Sequence, residues 1–383
     1  MLYHLAPLLT TLWGPFRLLG SYLVLMGLGA LLAAFITGLT LPKLWGRLPQ
    51  DRGRLHAQQG TAARGKPTGA GVFTVMLLIP VVLLVLPLNL RFASILGCLV
   101  LAMMTGWLDD RSQTPWGDYF KGSLDLAVAL LTSLALCQGN AVAFWMPLVK
   151  GEVLVPVWLF LPLGTLLLWM TINATNCSDG VDGLAGTLTL LSLFYLGGFL
   201  YVVIGHKEMA SYLLVGHNPE GARWALLLFT TAGGLAGYLW HNAEPSRVLM
   251  GDAGSRFFGL LVGTAALAAG NPFLILVVAP VVLVNGGTGI VKIALLRGFK
   301  RLGFDVRSPA VIAEAQKAVA HNGGGAVAPE QHQVIRLLHQ VRFPLHDHCR
   351  KNLGWSNPQV LLRFFIIQAF LTPILFGFLV KVR

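Results

Sequence analysis

The chain has 383 residues, 55% of them hydrophobic and only 11% charged, with a formal net charge of +12 and a mean hydropathy of +0.69. A soluble domain is about one-quarter charged, whereas several runs here are almost uncharged over about 18–24 residues, each enough to cross about 30 Å of hydrocarbon. These features exclude an ordinary soluble enzyme, since the runs lack water-facing stripes; the positive charge suits anionic headgroups of a lipid bilayer and needs no nucleic acid.

The N-terminal MLYHLAPLLTTLWGPFRLLGS has neither a Lys- or Arg-rich start nor a small-residue cleavage site, and reads as a retained leading segment. Ten spans follow, predicted at 18–41, 69–88, 91–108, 122–140, 156–174, 184–204, 223–241, 255–270, 272–296 and 359–380. They are taken as helices, because lipid-exposed backbone must satisfy its own hydrogen bonds. The fold class is therefore an all-α polytopic integral membrane protein of about ten transmembrane helices. It forms a single membrane domain over 1–383, with a cytoplasmic insert at 302–341. Cys98, Cys137, Cys177 and Cys349 show no CxxC pairing and are read as separate thiols, not as a disulfide or metal set.

Charge sorts the loops. Those after spans 1, 3, 5, 7 and 9, with Arg363 just inside span 10, hold 21 of the 28 lysines and arginines. The positive-inside rule places that side in the cytoplasm and both termini outside. By the same parity Asp109, Asp110, Asp179, Asp182, Asp252 and Asp347 gather on the cytoplasmic face, in four separate loops, although the chain has only 16 acidic residues. The spans themselves carry few polar groups, which argues against a transporter with a midplane site.

The motifs sit in those loops. GWLDDRS ends span 3 with Asp109-Asp110. Adjacent carboxylates at a membrane boundary repel unless a cation or donor neutralises them, so the pair suits Mg²⁺ or a base acting on a phosphate; the plainer reading is a solvated helix end. In INATNCSDGVDGLAG, Asn173, Asn176, Asp179 and Asp182 recur every third residue. On one continuous helix each step of three turns the side chain back by about 60°, so Asn173 and Asp182 would point opposite ways. Gly180 and Gly183 instead offer a helix end, and a helix ending in a loop can fold these groups around a small ligand. The plainer reading is an Asx-rich turn.

HNAEPSRVLMGDAGSRFFG brings Asp252 between two glycines just before span 8. Backbone amides and a carboxylate could there meet a phosphate–metal group, or Asp252 or Ser255 could simply cap the span. RFPLHDHCRKNLGW sets His346 and His348 beside Asp347, Arg350 and Lys351. The i, i+2 spacing is not the helical i, i+4 of a zinc pair; a phosphate-handling cluster and a wet basic loop remain open. GKPTGAG, with Thr68, opens span 2 and matches neither the P-loop nor the dinucleotide fingerprint. A flexible junction and a phosphate contact are both open for it.

Together, KPTGAG, LDD, NATNCSDGVDGLAG, HNAEPSRVLMGDAGS and PLHDHCRKNLGWSNPQVLLRFFIIQ resemble the polyprenyl-phosphate N-acetylhexosamine-1-phosphate transferases. The resemblance runs from about Pro42 to span 10, and the last block is similar to the histidine motif of the phospho-N-acetylmuramoyl-pentapeptide transferase branch. It implies transfer of phospho-MurNAc-pentapeptide from UDP-MurNAc-pentapeptide to undecaprenyl phosphate, giving lipid I and UMP, with Mg²⁺ as cofactor, in the bacterial cytoplasmic membrane. It implies Asp252 as a metal ligand, with Asp179 as a second metal residue, and Asp109 and Asp110 as base or metal-proximal groups. It also implies Asn173, Asn176, Asp179, Asp182, Asn242, Thr68 and Lys121 around nucleotide and phosphates, and catalytic roles for His346 and His348. A homodimer is a further expectation.

The chain departs from the family pattern where Gln113 replaces a lysine, Leu249 an aromatic and Arg350-Lys351 an acid, where the basic residues of the loop after span 3 are reduced to Lys121, and in the longer 302–341 insert. A sibling that transfers GlcNAc-1-phosphate from UDP-GlcNAc is the nearest alternative, against which the PLHDH block argues. A non-catalytic transporter or scaffold is the alternative of another class.

Overall fold

Apolar, proline-punctuated runs fold here into helices, and the computed structural model describes residues 1–51, 64–114, 116–308, 311–312 and 332–381. The helices are α1 (Leu2–Leu12), α2 (Tyr22–Leu44), α3 (Gly71–Val85), α4 (Leu90–Arg111), α5 (Asp118–Cys137), α6 (Val157–Ser178), α7 (Leu184–Phe199), α8 (Lys207–Tyr212), α9 (Gly221–Asn242) and α10 (Gly251–Ala268). They continue with α11 (Leu274–Val278), α12 (Pro280–Val282), α13 (Thr288–Arg301), α14 (Gln333–Gln340), α15 (Leu345–Asn352) and α16 (Asn357–Lys381). One antiparallel hairpin, β1 (Val142–Trp145) with β2 (Glu152–Val155), pairs Val142 with Val155 and Trp145 with Glu152 between α5 and α6.

The protein is an all-α polytopic membrane protein. Among the described residues, seven helices are long and apolar enough to cross a membrane: Tyr22–Arg47, Leu90–Arg111, Asp118–Cys137, Val157–Ser178, Leu184–Ile204, Pro280–Arg301 and Asn357–Lys381. The other three predicted stretches fold as α3, α9 and α10. α3 has 15 residues, short for a span. The other two lie at the centre: every residue from Ala253 to Ala268 of α10 is buried, as are most of α9. A helix enclosed by others can carry small and hydroxylated residues in place of greasy ones. On α9, Gly233 and Gly237 face the Ala30 and Ala34 carbonyls of α2, where a side chain would not fit.

The stretch predicted as one span at 272–296 is broken. α11 stops before Pro280, α12 is a single turn, and a π-helical turn at Leu283–Gly287 leads into α13. Pro280 removes a helical donor, and Asn285-Gly286-Gly287 is a weak helix former.

The bundle has two distinct ends. At one, the α4 and α9 starts are joined by Asn89 and Arg91 to Glu220 (2.7 and 3.2 Å), and Trp145 Nε1 donates to the Ala269 carbonyl at the α10 end (2.9 Å). The other end brings together the end of α4, the α6–α7 turn, the end of α9 and the start of α10, and it carries the motif residues.

Candidate active site

The end of α4 meets the start of α10 because Gly106 lies flat against the Asp252–Ala253 backbone, where a Cβ would collide. Asp110 uses the approach: its Oδ1 accepts the Asp252 N–H and its Oδ2 the Ala253 N–H, both at 3.0 Å. α10 starts at Gly251 without a side-chain cap of its own, so the cap anticipated from Asp252 or Ser255 comes instead from Asp110 across the bundle. A carboxylate on these first-turn donors is favoured by the helix dipole. Asp252, in that first turn, is left to face the cluster.

Around it the charges interlock. Lys121, from the first turn of α5, places Nζ 2.5 Å from Asp109 Oδ2 and 3.6 Å from Asp252 Oδ2. Arg256, one turn along α10 from Asp252, is 1% exposed. Its guanidinium reaches Asp125 Oδ1 at 3.0 Å, Asp252 Oδ2 at 3.2 Å and Asp109 Oδ2 at 3.5 Å. Removing one partner of such a buried set costs about 3–5 kcal/mol. The Asp109 and Asp252 carboxyls touch each other, and the Asn176 side chain reaches Asp252.

The Asn/Asp motif is a helix end, as its spacing predicted. α6 carries Asn173 and Asn176 in its last two turns and stops at Ser178. Asp179 follows as the first residue beyond it, its N–H on the Asn176 carbonyl (3.1 Å). Asn173 donates to the Trp169 carbonyl one turn back (2.9 Å). Asp182 Oδ2 accepts the Ser246 N–H (3.1 Å) and pairs with Lys66 Nζ (3.4 Å), which also donates to Ser246 Oγ (3.0 Å). Asn242, buried at the end of α9, accepts the Gly183 N–H and donates to the Val248 carbonyl, both at 2.8 Å. It clamps the turn to the segment before α10.

KPTGAG is no loose junction. Its backbone pairs with the segment before α10: Leu249 N–H to Pro67, Ala70 N–H to Leu249 and Gly71 N–H to Met250, at 2.8, 3.0 and 3.0 Å. Thr68 is partly buried beside this ladder, its N–H on the Pro49 carbonyl (2.9 Å). Leu249, the site of the missing aromatic, is thus held through its backbone.

The histidine block forms α15. His346 is buried, its N–H on Asn285 Oδ1 (2.9 Å) and its Nδ1 3.2 Å from the same oxygen. Asn285 also donates to Ser178 Oγ at the end of α6 (3.0 Å). The His346 ring covers Gly180, where even a methyl would overlap it. The π-turn thereby ties the histidine block to the Asn/Asp motif. His348 lies on the outer side, accepting the Arg342 N–H at Nδ1 (3.3 Å).

Asp109, Asp110, Lys121, Asn176 and Asp252 therefore meet at one junction, while Asp182, Asn242 and His346 build the adjoining turn. Sequence reasoning missed Lys66, Asp125, Arg256 and Asn285. Lys66 and Arg256 lie inside the quoted GKPTGAG and HNAEPSRVLMGDAGSRFFG strings, yet nothing in the strings assigns them a partner. As for a metal, the carboxylates of Asp109 and Asp252 are hard donors, with the Asn176 amide donating to Asp252 beside them, and among the described residues no three or more His, Cys, Asp or Glu side chains form a cage. That set fits Mg²⁺, which keeps several waters and is held by one or two carboxylates plus substrate phosphates.

The sequence pattern of glycosyl transferase family 4 matches residues 92–270, from α4 through α10. Proteins named phospho-N-acetylmuramoyl-pentapeptide-transferase, from two strains of Treponema pallidum, are each 45% identical over 374 residues, 97% of this chain and 94% of theirs. A protein of the same name from Gemmatimonas aurantiaca is 30% identical over 247 residues, 63% of this chain and 57% of its own.

Proposed function

The chain belongs to the phospho-N-acetylmuramoyl-pentapeptide-transferase family, and from that premise we propose that it transfers phospho-MurNAc-pentapeptide from its UDP carrier to undecaprenyl phosphate, releasing UMP and forming lipid I. The observation that carries the reading is the meeting of Asp109 and Asp252 with Lys121 at one end of the bundle. A lipid phosphate and a soluble nucleotide can meet only at such a boundary.

Mg²⁺, bound at Asp252 with Asp109 and Asn176 beside it and Asp179 at the helix end, would neutralise charge developing on the pyrophosphate. Lys121 and Lys66, partly exposed at 30% and 28%, present ammonium groups to the transferred and leaving phosphates. Asp110 is engaged by two backbone N–H groups, so it positions Asp252. Asp109, paired with Lys121 and Arg256, is the second carboxylate at the metal beside the acceptor phosphate. Asp182, Asn176 and the turn clamped by Asn242 shape the nucleotide seat, and His346 closes it.

Within this proposal the site faces the cytoplasm, α3, α9 and α10 complete ten spans, and both termini lie outside. Two contacts support that arrangement. The N-terminal amine donates to the Leu83 carbonyl near the far end of α3 (3.3 Å), whereas α16 starts at the site end, with Asn357 donating to Glu244 (3.1 Å), and so ends on the far side.

The test is UMP release by purified protein with undecaprenyl phosphate and Mg²⁺, given either UDP-MurNAc-pentapeptide or UDP-GlcNAc. Turnover with the first donor, abolished by EDTA and restored by Mg²⁺, is expected. No UMP from either donor would overturn the enzyme reading, and turnover with UDP-GlcNAc alone would overturn the substrate.

A further inference from the structure

We propose that Arg256 and Asp125 form a resident ion pair that sets how strongly the Asp109–Asp252 pair holds a divalent cation. This rests on the metal reading above but assigns a role to two residues to which the family resemblance gave none. Arg256 is 1% exposed, with Nε lacking a hydrogen-bond partner among the described residues, so it is not a surface cation that drifted into contact. One terminal nitrogen binds Asp125, and the other is shared by the Oδ2 atoms of Asp252 and Asp109. Those same two oxygens face Lys121. A bound divalent ion must therefore compete with Arg256 for its own ligands.

The two cations of the cluster differ in freedom. Lys121 is 30% exposed and can swing toward water; Arg256 is enclosed and cannot. Asp125 lies one turn beyond Lys121 on α5 and holds the guanidinium by the terminal nitrogen that does not face the shared oxygens. The three carboxylates that contact Lys121 and Arg256 outnumber those two cations by one, so the cluster keeps a formal negative charge toward a divalent ion. Without Arg256 the site would hold its ion more tightly; without Asp125 the guanidinium would close on Asp252 and Asp109 and weaken binding.

Mn²⁺ binding to the purified full-length protein, followed by electron paramagnetic resonance, tests this without turnover. Asp125→Asn should weaken Mn²⁺ binding about tenfold or more and Arg256→Gln should strengthen it about tenfold, as a unit charge a few ångströms from a divalent ion implies. The Asp125→Asn/Arg256→Gln double variant, with the formal charge restored, should return to within about threefold of the parent.

Opposite shifts in the two single variants support the proposal. Weakening in both would make Arg256 a packing residue and overturn it, and unchanged affinity in both would overturn it too. If Arg256→Gln fails to fold, Arg256→Lys replaces it: parental affinity there, with weakening in Asp125→Asn, supports the pair, whereas unchanged affinity in Asp125→Asn sinks it. A parent protein that binds no Mn²⁺ would overturn the metal reading itself, a result distinct from equal binding by all variants.

Discussion

At the α4–α10 junction, charge meets charge: Asp109, Asp252 and Asp125 are knotted by Arg256 and Lys121 within 2.5–3.6 Å. At the adjoining α6–α7 turn, amides and backbone groups hold the chain: Asn242 on Gly183 and Val248, Asn285 on His346 and Ser178. The first region keeps its charged groups near one another at electrostatic cost and has little shape of its own. The second has shape but few net charges. The difference teaches that chemistry and recognition are separable here, so substitutions should divide into those that remove turnover and those that loosen the fold.

The sharpest division is expected from Asp252→Asn. It keeps the volume and leaves Arg256 its bonds to Asp109 and Asp125. UMP release should fall by about 10³-fold or more, since charge stabilisation at the reacting group is the largest single term in such reactions. Thermal unfolding in detergent should move by no more than a few degrees. Parental turnover in this variant would move the chemistry elsewhere.

Gly180→Ala attacks the second region where the His346 ring covers the chain. The added methyl overlaps the His346 ring, and small-to-large changes at packed sites typically cost about 1–3 kcal/mol. Turnover should fall by about 10- to 100-fold, the same free-energy range expressed as rate. His346→Ala combined with Gly180→Ala should be no worse than His346→Ala alone. Additive losses in that cycle would mean that the ring and the glycine do not act through one contact.

Asn242→Ala should act more on stability than on rate. Two 2.8 Å bonds from a buried amide are lost, leaving the Gly183 N–H and the Val248 carbonyl unsatisfied, at about 1–3 kcal/mol for each such group. The melting temperature should drop clearly, while the residual folded enzyme shows a raised KM for the nucleotide donor with kcat less affected. A collapse of kcat with unchanged melting would place Asn242 on the substrate instead.

How far the sequence could be read follows the same division. The helix end at Ser178 was legible, because period-three Asn/Asp spacing with two glycines conflicts with a straight helix. The pairing of Asp109 with Asp252 was legible only as loops sharing one face. Arg256 was not, since a lone arginine at the start of an apolar run looks like an interfacial anchor until its three carboxylates are brought from α4, α5 and α10. Asp110 shows the limit of composition: beside Asp109 it reads as a second base or metal-proximal group, and its oxygens cap a helix more than 140 residues away. Asn285 was hidden inside a hydrophobic run whose proline and glycines break one predicted span into pieces. Long-range pairing of this kind leaves no local signature.

The smallest effect should separate the two histidines, to both of which the family resemblance gave catalytic roles. His346 faces inward, buried on Asn285 and over Gly180. His348 faces the Arg342 N–H at 3.3 Å and is only partly buried. A single long hydrogen bond at a partly exposed site is worth about 0.5–1.5 kcal/mol at most, and Arg342 is itself exposed to water that can replace the acceptor. His348→Ala should therefore reduce turnover by no more than about threefold, the lower part of that range, with a melting shift of a degree or two. His346→Ala should cost far more in both measurements. A collapse of turnover in His348→Ala at unchanged melting would show that this imidazole reaches the donor. The charged and shaped regions would then have to be joined by a third, on the outer side of α15.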